Sequence, residues 1–103
     1  MDAIVIKIDP DLEDLIPGFL DNRRTDVDKL RGLMAEQNFA DIRIIGHSMK
    51  GAGGGYGFDA ITDIGNLIEQ AALASDTGKI AEQVEVLADY LARVQPVPDP
   101  EFS

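Results

Sequence analysis

The apolar residues of this chain recur every three or four positions from about residue 20 to residue 94. Such spacing places their side chains on one face of an α-helix. Four stripes follow one another: Leu20, Val27, Leu30 and Met34; Ile42, Ile45, Met49 and Ala52; Phe58, Ile61, Ile64, Ile68 and Ala71; Ile80, Val84, Leu87, Leu91 and Val94. Four amphipathic helices with short connections predict an all-α fold, an antiparallel up-and-down four-helix bundle.

Capping and breaking residues place the ends of these helices. The helical pattern begins at Asp11, with Asp9 and Asp11 as candidate caps, and Pro17 is expected to kink or restart the first helix. Asn38 predicts its end, and the second helix runs from about Asp41 to the glycine cluster. The third begins after residue 57 and ends around 75–78, so that the bundle is expected to occupy residues 11–95.

The two ends of the chain differ from the helical part. Ile4, Ile6 and Ile8 alternate with other residues, a period-2 pattern that predicts an extended N-terminal arm over residues 1–10. We expect this arm to pack on the bundle or on a second copy. Residues 96–103 are rich in proline and cannot continue the last helix, which predicts a Pro-rich tail or linker. We interpret residues 101–103 as a cloning scar and the chain as a domain cut from a longer protein.

Composition argues against several classes of function. The chain has no cysteine and one histidine, which excludes disulfides and thiolate chemistry and argues against a histidine metal cage. Its 9 basic and 19 acidic residues give a net charge of -10, which disfavours nucleic acid and anionic membranes as partners. No apolar run reaches membrane-spanning length and the N-terminus lacks a secretory signal, so we expect a cytoplasmic protein that uses no metal or cofactor and binds another protein.

The single histidine, His47, falls outside the apolar stripe of the second helix. Lys50, Gly51 and Gly54 follow it by three, four and seven positions and share its helical face. A neutral imidazole can attack phosphorus through a ring nitrogen, and the product is a phosphohistidine. The cationic Lys50 can offset the charge of an incoming phosphoryl group without competing as a nucleophile.

The glycines of this segment have a cost and a possible use. A glycine inside a helix costs up to about 1 kcal/mol relative to alanine. Gly51 and Gly54 would leave clearance for the active-site loops of a partner. Ile44, one turn before His47, is a candidate contact for that partner or a partly buried residue, and Arg43 is expected nearby. Taken singly, a surface histidine, a surface lysine and helix-ending glycines are all ordinary features.

The segment HSMKGAGGGYGF closely resembles the signature of the histidine phosphotransfer (HPt) family: a histidine, lysine at plus three, glycine at plus four and another glycine at plus ten. The resemblance covers roughly residues 11–95. It implies a four-helix bundle that exposes the phosphorylatable histidine on its second helix. It also implies that His47 exchanges a phosphoryl group with receiver-domain aspartates or accepts it from a sensor histidine kinase. Lys50 would stabilise the charge, Gly51 would belong to the docking surface, and Gly57 would mark the turn into the third helix.

Two further interpretations remain beside this one, and a third is set aside. The glycine-rich run could cradle a nucleotide phosphate, but it lacks the preceding strand and the Lys-Ser or Lys-Thr pair that such loops need. The bundle could instead be an interaction module without phosphotransfer. It could also be the substrate domain of a chemotaxis-type histidine kinase. We expect a phosphocarrier without autonomous kinase activity, a monomer rather than a dimer, whose receiver partners bring the magnesium.

Overall fold

The computed structural model describes residues 2–102, and four α-helices account for most of them. These are α1 (Ile16–Ala35), α2 (Phe39–Gly53), α3 (Asp59–Leu73) and α4 (Thr77–Arg93). Each helix packs against the next in the chain, and α4 packs back against α1. The prediction of an all-α four-helix bundle is therefore confirmed. No helix within residues 2–102 combines the length and apolarity that crossing a membrane requires.

The capping residues explain where the helices begin. A 3-10 helix over Pro10–Leu15 precedes α1, and the Asp9 carboxylate accepts a hydrogen bond from the Asp11 amide at 2.9 Å. Pro17 lies in the first turn of α1, where a missing N–H costs nothing, so it restarts the helix rather than kinking it. The prediction that Asn38 ends the first helix is corrected, because α1 already ends at Ala35. Asn38 instead caps α2 by accepting a hydrogen bond from the amide of Asp41 at 3.2 Å.

The predicted stripes form the core. Leu30, Ile42, Met49, Ile68 and Leu87 are all completely buried. Removing such side chains from water is the main favourable contribution to the free energy of folding. The stripe of the fourth helix ends at Leu91, because α4 stops at Arg93 and Val94 begins a strand. That strand corrects the sequence prediction for Val94.

A two-stranded parallel sheet joins the two ends of the chain. Strand β1 (Ile4–Ile8) pairs with strand β2 (Val94–Pro98), with Ile4 opposite Val94 and Ile8 opposite Pro98. The extended N-terminal segment is thus present as predicted. The prediction of a linker from residue 96 is wrong as far as Pro98, because this stretch is paired with β1.

The prolines of β2 are tolerated because of the direction in which their nitrogens point. The amide of Asp99 donates to the carbonyl of Ile8 at 3.0 Å, and alternate residues of a strand face the same neighbour. Residues 95, 97 and 99 therefore turn their amides toward β1. Pro96 and Pro98, which have no N–H, turn away from β1, where the ladder needs no donor.

The sheet lies at the end of the bundle that holds the α2–α3 connection. A Cβ on Gly57 would lie 3.9 Å from the side chain of Ile8, which is 1% exposed. Gly57 has φ 92°, a left-handed conformation that favours glycine, and ends a 3-10 helix over Gly54–Tyr56. Phe19 of α1 stacks on Tyr56 with ring centroids 4.4 Å apart, which holds this connection against α1.

Candidate functional site

His47 lies on the solvent-facing side of α2. Its side chain is 70% exposed, whereas Ile42 and Met49 on the opposite side of the same helix are completely buried. The position agrees with the expectation that the imidazole stands outside the apolar stripe. A ring in this position is open to a partner molecule.

A carboxylate from α3 connects the two residues that the sequence singled out. The Nδ1 atom of His47 lies 2.7 Å from Oε2 of Glu69, and Nζ of Lys50 lies 3.4 Å from Oε1 of the same carboxylate. Glu69 itself is only 7% exposed. Lys50 is therefore held beside the imidazole through Glu69.

This contact assigns the tautomer of the imidazole. An ionised carboxylate can only accept hydrogen bonds, so Nδ1 of His47 carries the hydrogen that is donated to Glu69. In the neutral ring, Nε2 then holds the free lone pair. The nitrogen available to attack an electrophile is Nε2.

Hydrogen bonds from neighbouring side chains favour the ionised form of the Glu69 carboxyl. The hydrogen bond from His47 lowers the pKa of the Glu69 carboxyl below its ordinary value, burial acts in the opposite direction, and the hydrogen bond from Lys50 lowers the pKa further. The net result is a lowered pKa, so the carboxyl is ionised at neutral pH. The ionised carboxylate can then accept hydrogen bonds from both His47 and Lys50.

The backbones of α2 and α3 approach closely where Glu69 meets His47. A Cβ on Gly46 would lie 2.8 Å from the amide nitrogen of Glu69. A Cβ on Gly65 would lie 2.5 Å from the amide nitrogen of Lys50 and 2.7 Å from the carbonyl oxygen of Gly46. Only glycine fits at either position without a backbone shift. This approach brings a carboxylate of α3 within reach of the outer side of α2.

The other residues chosen from the sequence lie around His47 without joining the Glu69 contacts. Gly51 is exposed, and a Cβ there would meet nothing within 4 Å. Gly54, at the end of α2, has ordinary contact distances of 3.6 Å to side-chain oxygens of Asp59 and Thr62. Packing within residues 2–102 therefore does not require glycine at either position. Arg43 is also exposed.

Ile44 is 57% exposed and lies beside a groove between α1 and α2. The apolar part of the groove consists of Gly32, Leu33, Ile44 and Ile45, and its charged rim of Asp28, Lys29, Glu36 and Asp41. Ile44 is thus exposed rather than partly buried, and its contact with a partner stays a prediction. The exposed face of α2 is therefore flanked by apolar side chains where it adjoins α1.

Sequence analysis missed Glu69 and the glycines that admit it. The available signal was a carboxylate directly after Ile68, beside the apolar stripe of the third helix. It could not be assigned to His47, because periodicity does not show which residue of one helix faces which residue of another. Within residues 2–102, the structure holds no group of three or more His, Cys, Asp or Glu side chains suited to a metal ion.

The fold and the site define a helical bundle that displays a histidine on its surface, with the ring oriented by a carboxylate and flanked by a lysine. Comparison with protein-family models gives a match to the Hpt domain over residues 14–96. The chain belongs to the Hpt domain family, the histidine phosphotransfer modules of phosphorelays. Comparisons with curated proteins and with solved structures find no match.

Proposed function

We propose that this Hpt domain accepts a phosphoryl group on Nε2 of His47 and exchanges it with aspartates of receiver domains in the cytoplasm. The observation that carries the proposal is the 2.7 Å contact between Nδ1 of His47 and the Glu69 carboxylate. In the neutral imidazole this contact leaves the lone pair on Nε2, on an exposed ring. A nucleophile of this kind needs no general base at the moment of attack.

The transfer step balances without a further reactant. The lone pair of Nε2 attacks the phosphorus of a receiver's aspartyl phosphate, the N–P bond forms and the bond from phosphorus to the aspartate oxygen breaks. The receiver aspartate leaves as a carboxylate. The imidazole, which keeps its hydrogen on Nδ1, gains positive charge, and the Glu69 carboxylate stabilises that charge at 2.7 Å. Transfer back to a receiver reverses these changes.

Lys50 is proposed to act on the phosphoryl group. Its side chain is 43% exposed, and its ammonium lies 3.4 Å from Glu69, on the carboxylate that also holds His47. The Lys50 side chain is flexible, so its ammonium can turn toward the oxygens of a phosphoryl group bound to Nε2 of His47 while it stays next to Glu69. It would offset the charge of the phosphoryl group during docking and transfer.

The docking surface is proposed to surround His47 on α2. Gly51 supplies clearance, since its side of the helix is open, and Gly54, Arg43 and Ile44 extend the surface toward both ends of the helix. The apolar groove beside Ile44 suits an apolar side chain of a receiver. The receiver would bring the magnesium that its own aspartate chemistry uses.

The test is phosphoryl transfer to the wild-type protein and to His47→Gln. Labelled receiver domains are one donor, and ATP with a separate kinase fragment is the other, so the two arms identify the source of the phosphoryl group. A phosphohistidine label is acid-labile and base-stable, and because the chain has one histidine such a label can come only from that position. We expect label on the wild type and none on His47→Gln. Absence of label from every donor would favour the interaction module without phosphotransfer.

A matched pair of variants tests docking separately from chemistry. Ile44→Asp places a charge on the proposed surface, whereas Val86→Asp places it on α4 at a residue that is 44% exposed. We expect Ile44→Asp to weaken receiver binding by about tenfold, while Val86→Asp leaves it unchanged. Equal binding by both variants would remove Ile44 from the docking surface.

A further inference from the structure

Three residues of α3 form a stripe that faces α2. Thr62, Gly65 and Glu69 are spaced three and four apart and therefore share one side of the helix. Glu69 contacts the side chains of His47 and Lys50, whereas Thr62 and Gly65 contact the backbone of Lys50. The stripe thus joins the site to the backbone that carries it.

The hydroxyl of Thr62 is inserted into the hydrogen-bond ladder of α2. The amide of Gly54 donates to Oγ1 of Thr62 at 2.8 Å, and the hydroxyl donates to the carbonyl oxygen of Lys50 at 3.1 Å. In a regular α-helix an amide bonds directly to the carbonyl four residues earlier, which here would join Gly54 to Lys50. A hydroxyl from α3 lies between the two groups, and beyond it the backbone continues as a 3-10 helix.

The close approach of the backbones leaves little freedom at this point. A Cβ on Gly53 would lie 2.6 Å from the amide nitrogen of Thr62 and 2.8 Å from its hydroxyl oxygen. On the other side of Lys50, a Cβ on Gly65 would lie 2.5 Å from its amide nitrogen. The Lys50 backbone is therefore held between the Thr62 hydroxyl and the bare backbone of Gly65.

We infer that Thr62 is a positioning residue for the histidine site. Its hydroxyl fixes the last turn of α2 against α3, so that Lys50 and His47 both meet the carboxylate of Glu69. The inference rests on the proposed function of His47 and goes beyond it, because Thr62 contacts neither the imidazole nor the place where a phosphoryl group would be bound.

The variants follow from the two hydrogen bonds. Thr62→Val keeps the shape of the side chain but loses both bonds, so the amide of Gly54 and the carbonyl of Lys50 are left facing a methyl group and the last turn of α2 must shift to satisfy them. Thr62→Ser keeps the hydroxyl. Thr25→Val is the matched control, since the Thr25 hydroxyl also donates to a backbone carbonyl, that of Asp21 at 3.2 Å, but in α1.

The first measurement is the tautomer of His47 in the unphosphorylated protein, from the nitrogen-15 NMR spectrum of the imidazole. We expect the Nδ1–H form in the wild type, Thr62→Ser and Thr25→Val, and a mixture of tautomers in Thr62→Val. The second measurement is the rate of phosphoryl transfer. Thr62→Val should lower it by about tenfold, as a small misplacement of reacting groups does, and the other two variants should stay within about twofold.

A wild-type tautomer and rate in Thr62→Val would overturn the inference, and so would equal impairment of Thr62→Ser. If Thr62→Val fails to fold, Thr62→Ala, which adds no methyl group in place of the hydroxyl, is measured below its own melting temperature. The proposed function can fail independently. A wild type that no donor phosphorylates would refute phosphotransfer, while the tautomer comparison would still decide the role of Thr62.

Discussion

The α2–α3 pair and the α1–α4 pair are packed in different ways. Between α2 and α3 the backbones themselves meet, at Gly46, Gly53 and Gly65. Between α1 and α4 the buried positions are filled by branched side chains such as Val27 and Leu91. The two glycines of α1, Gly18 and Gly32, face open space, where a Cβ would meet nothing within 4 Å.

The difference separates the part of the bundle that orients the site from the part that mainly supplies stability. A pair of helices packed through side chains can adjust to a change by moving those side chains. A pair packed backbone to backbone has no such adjustable layer, so the positions of its polar groups are narrowly determined. The Glu69 carboxylate reaches His47 from the second kind of interface.

The strongest test of this comparison is Gly65→Ala. The new Cβ would lie 2.5 Å from the amide nitrogen of Lys50, and backbone atoms cannot turn away as a flexible side chain can. We expect the free energy of unfolding to fall by about 2 kcal/mol, the net of overpacking and a small gain in helix propensity. The hydrogen bond between His47 and Glu69 should weaken as well. Chemical denaturation and the imidazole NMR spectrum measure the two effects.

Gly32→Ala makes the same change in α1, at a position that lines the groove beside Ile44 and where no other helix lies against the added Cβ. Open space surrounds this position, so we expect the free energy of unfolding to rise by about 0.5–1 kcal/mol through helix propensity alone. The tautomer of His47 should stay as in the wild type. Similar stability effects from Gly32→Ala and Gly65→Ala would show that the close backbone approach at Gly65 does not determine the cost of the added Cβ.

Glu69→Gln tests the polar contacts that the close interface positions. A neutral amide can no longer stabilise positive charge on the His47 ring, so we expect phosphoryl transfer to fall by about tenfold. Glu85→Gln is the control, since Glu85 is exposed and, among residues 2–102, pairs only with Arg31 of α1, at 3.0 Å. A wild-type transfer rate in Glu69→Gln would show that the carboxylate has no part in the reaction.

The same variant has a defined pH dependence of stability. The pKa of Glu69 is lowered in the folded state, so the folded chain binds this proton less readily than the unfolded chain does. The resulting stabilisation is complete above the ordinary pKa of a glutamate carboxyl and is lost as the pH falls through the lower folded-state pKa. The difference in unfolding free energy between the wild type and Glu69→Gln should therefore shrink in this acidic range. A difference that grows toward acid would contradict the assigned direction.

Sequence reasoning succeeded where one helix determines the outcome. The stripe through Ile42 and Met49 is enough to place His47 on the opposite, exposed face of α2. It could not find Glu69, whose role depends on which turn of α3 faces α2, or Gly65, which alone looks like an ordinary weak helix residue. The strand at Pro96 was missed for a similar reason. A proline fits into a strand only where its nitrogen points away from the partner strand, and the sequence alone does not show on which side the partner lies.

A small effect, confined to stability, is expected at Tyr90 of α4. Its side chain is buried, and within residues 2–102 its hydroxyl has no hydrogen-bond partner; burial, and then the charge of Asp59, raise the pKa of this hydroxyl. Tyr90→Phe removes an unpaired polar group and keeps the shape of the ring. In a side-chain-packed interface this should raise the free energy of unfolding by about 0.5–1 kcal/mol and leave phosphoryl transfer unchanged. Chemical denaturation checks the first effect. A loss of stability would mean that the hydroxyl is satisfied, by water or otherwise, and that the α4 interface also depends on a polar contact.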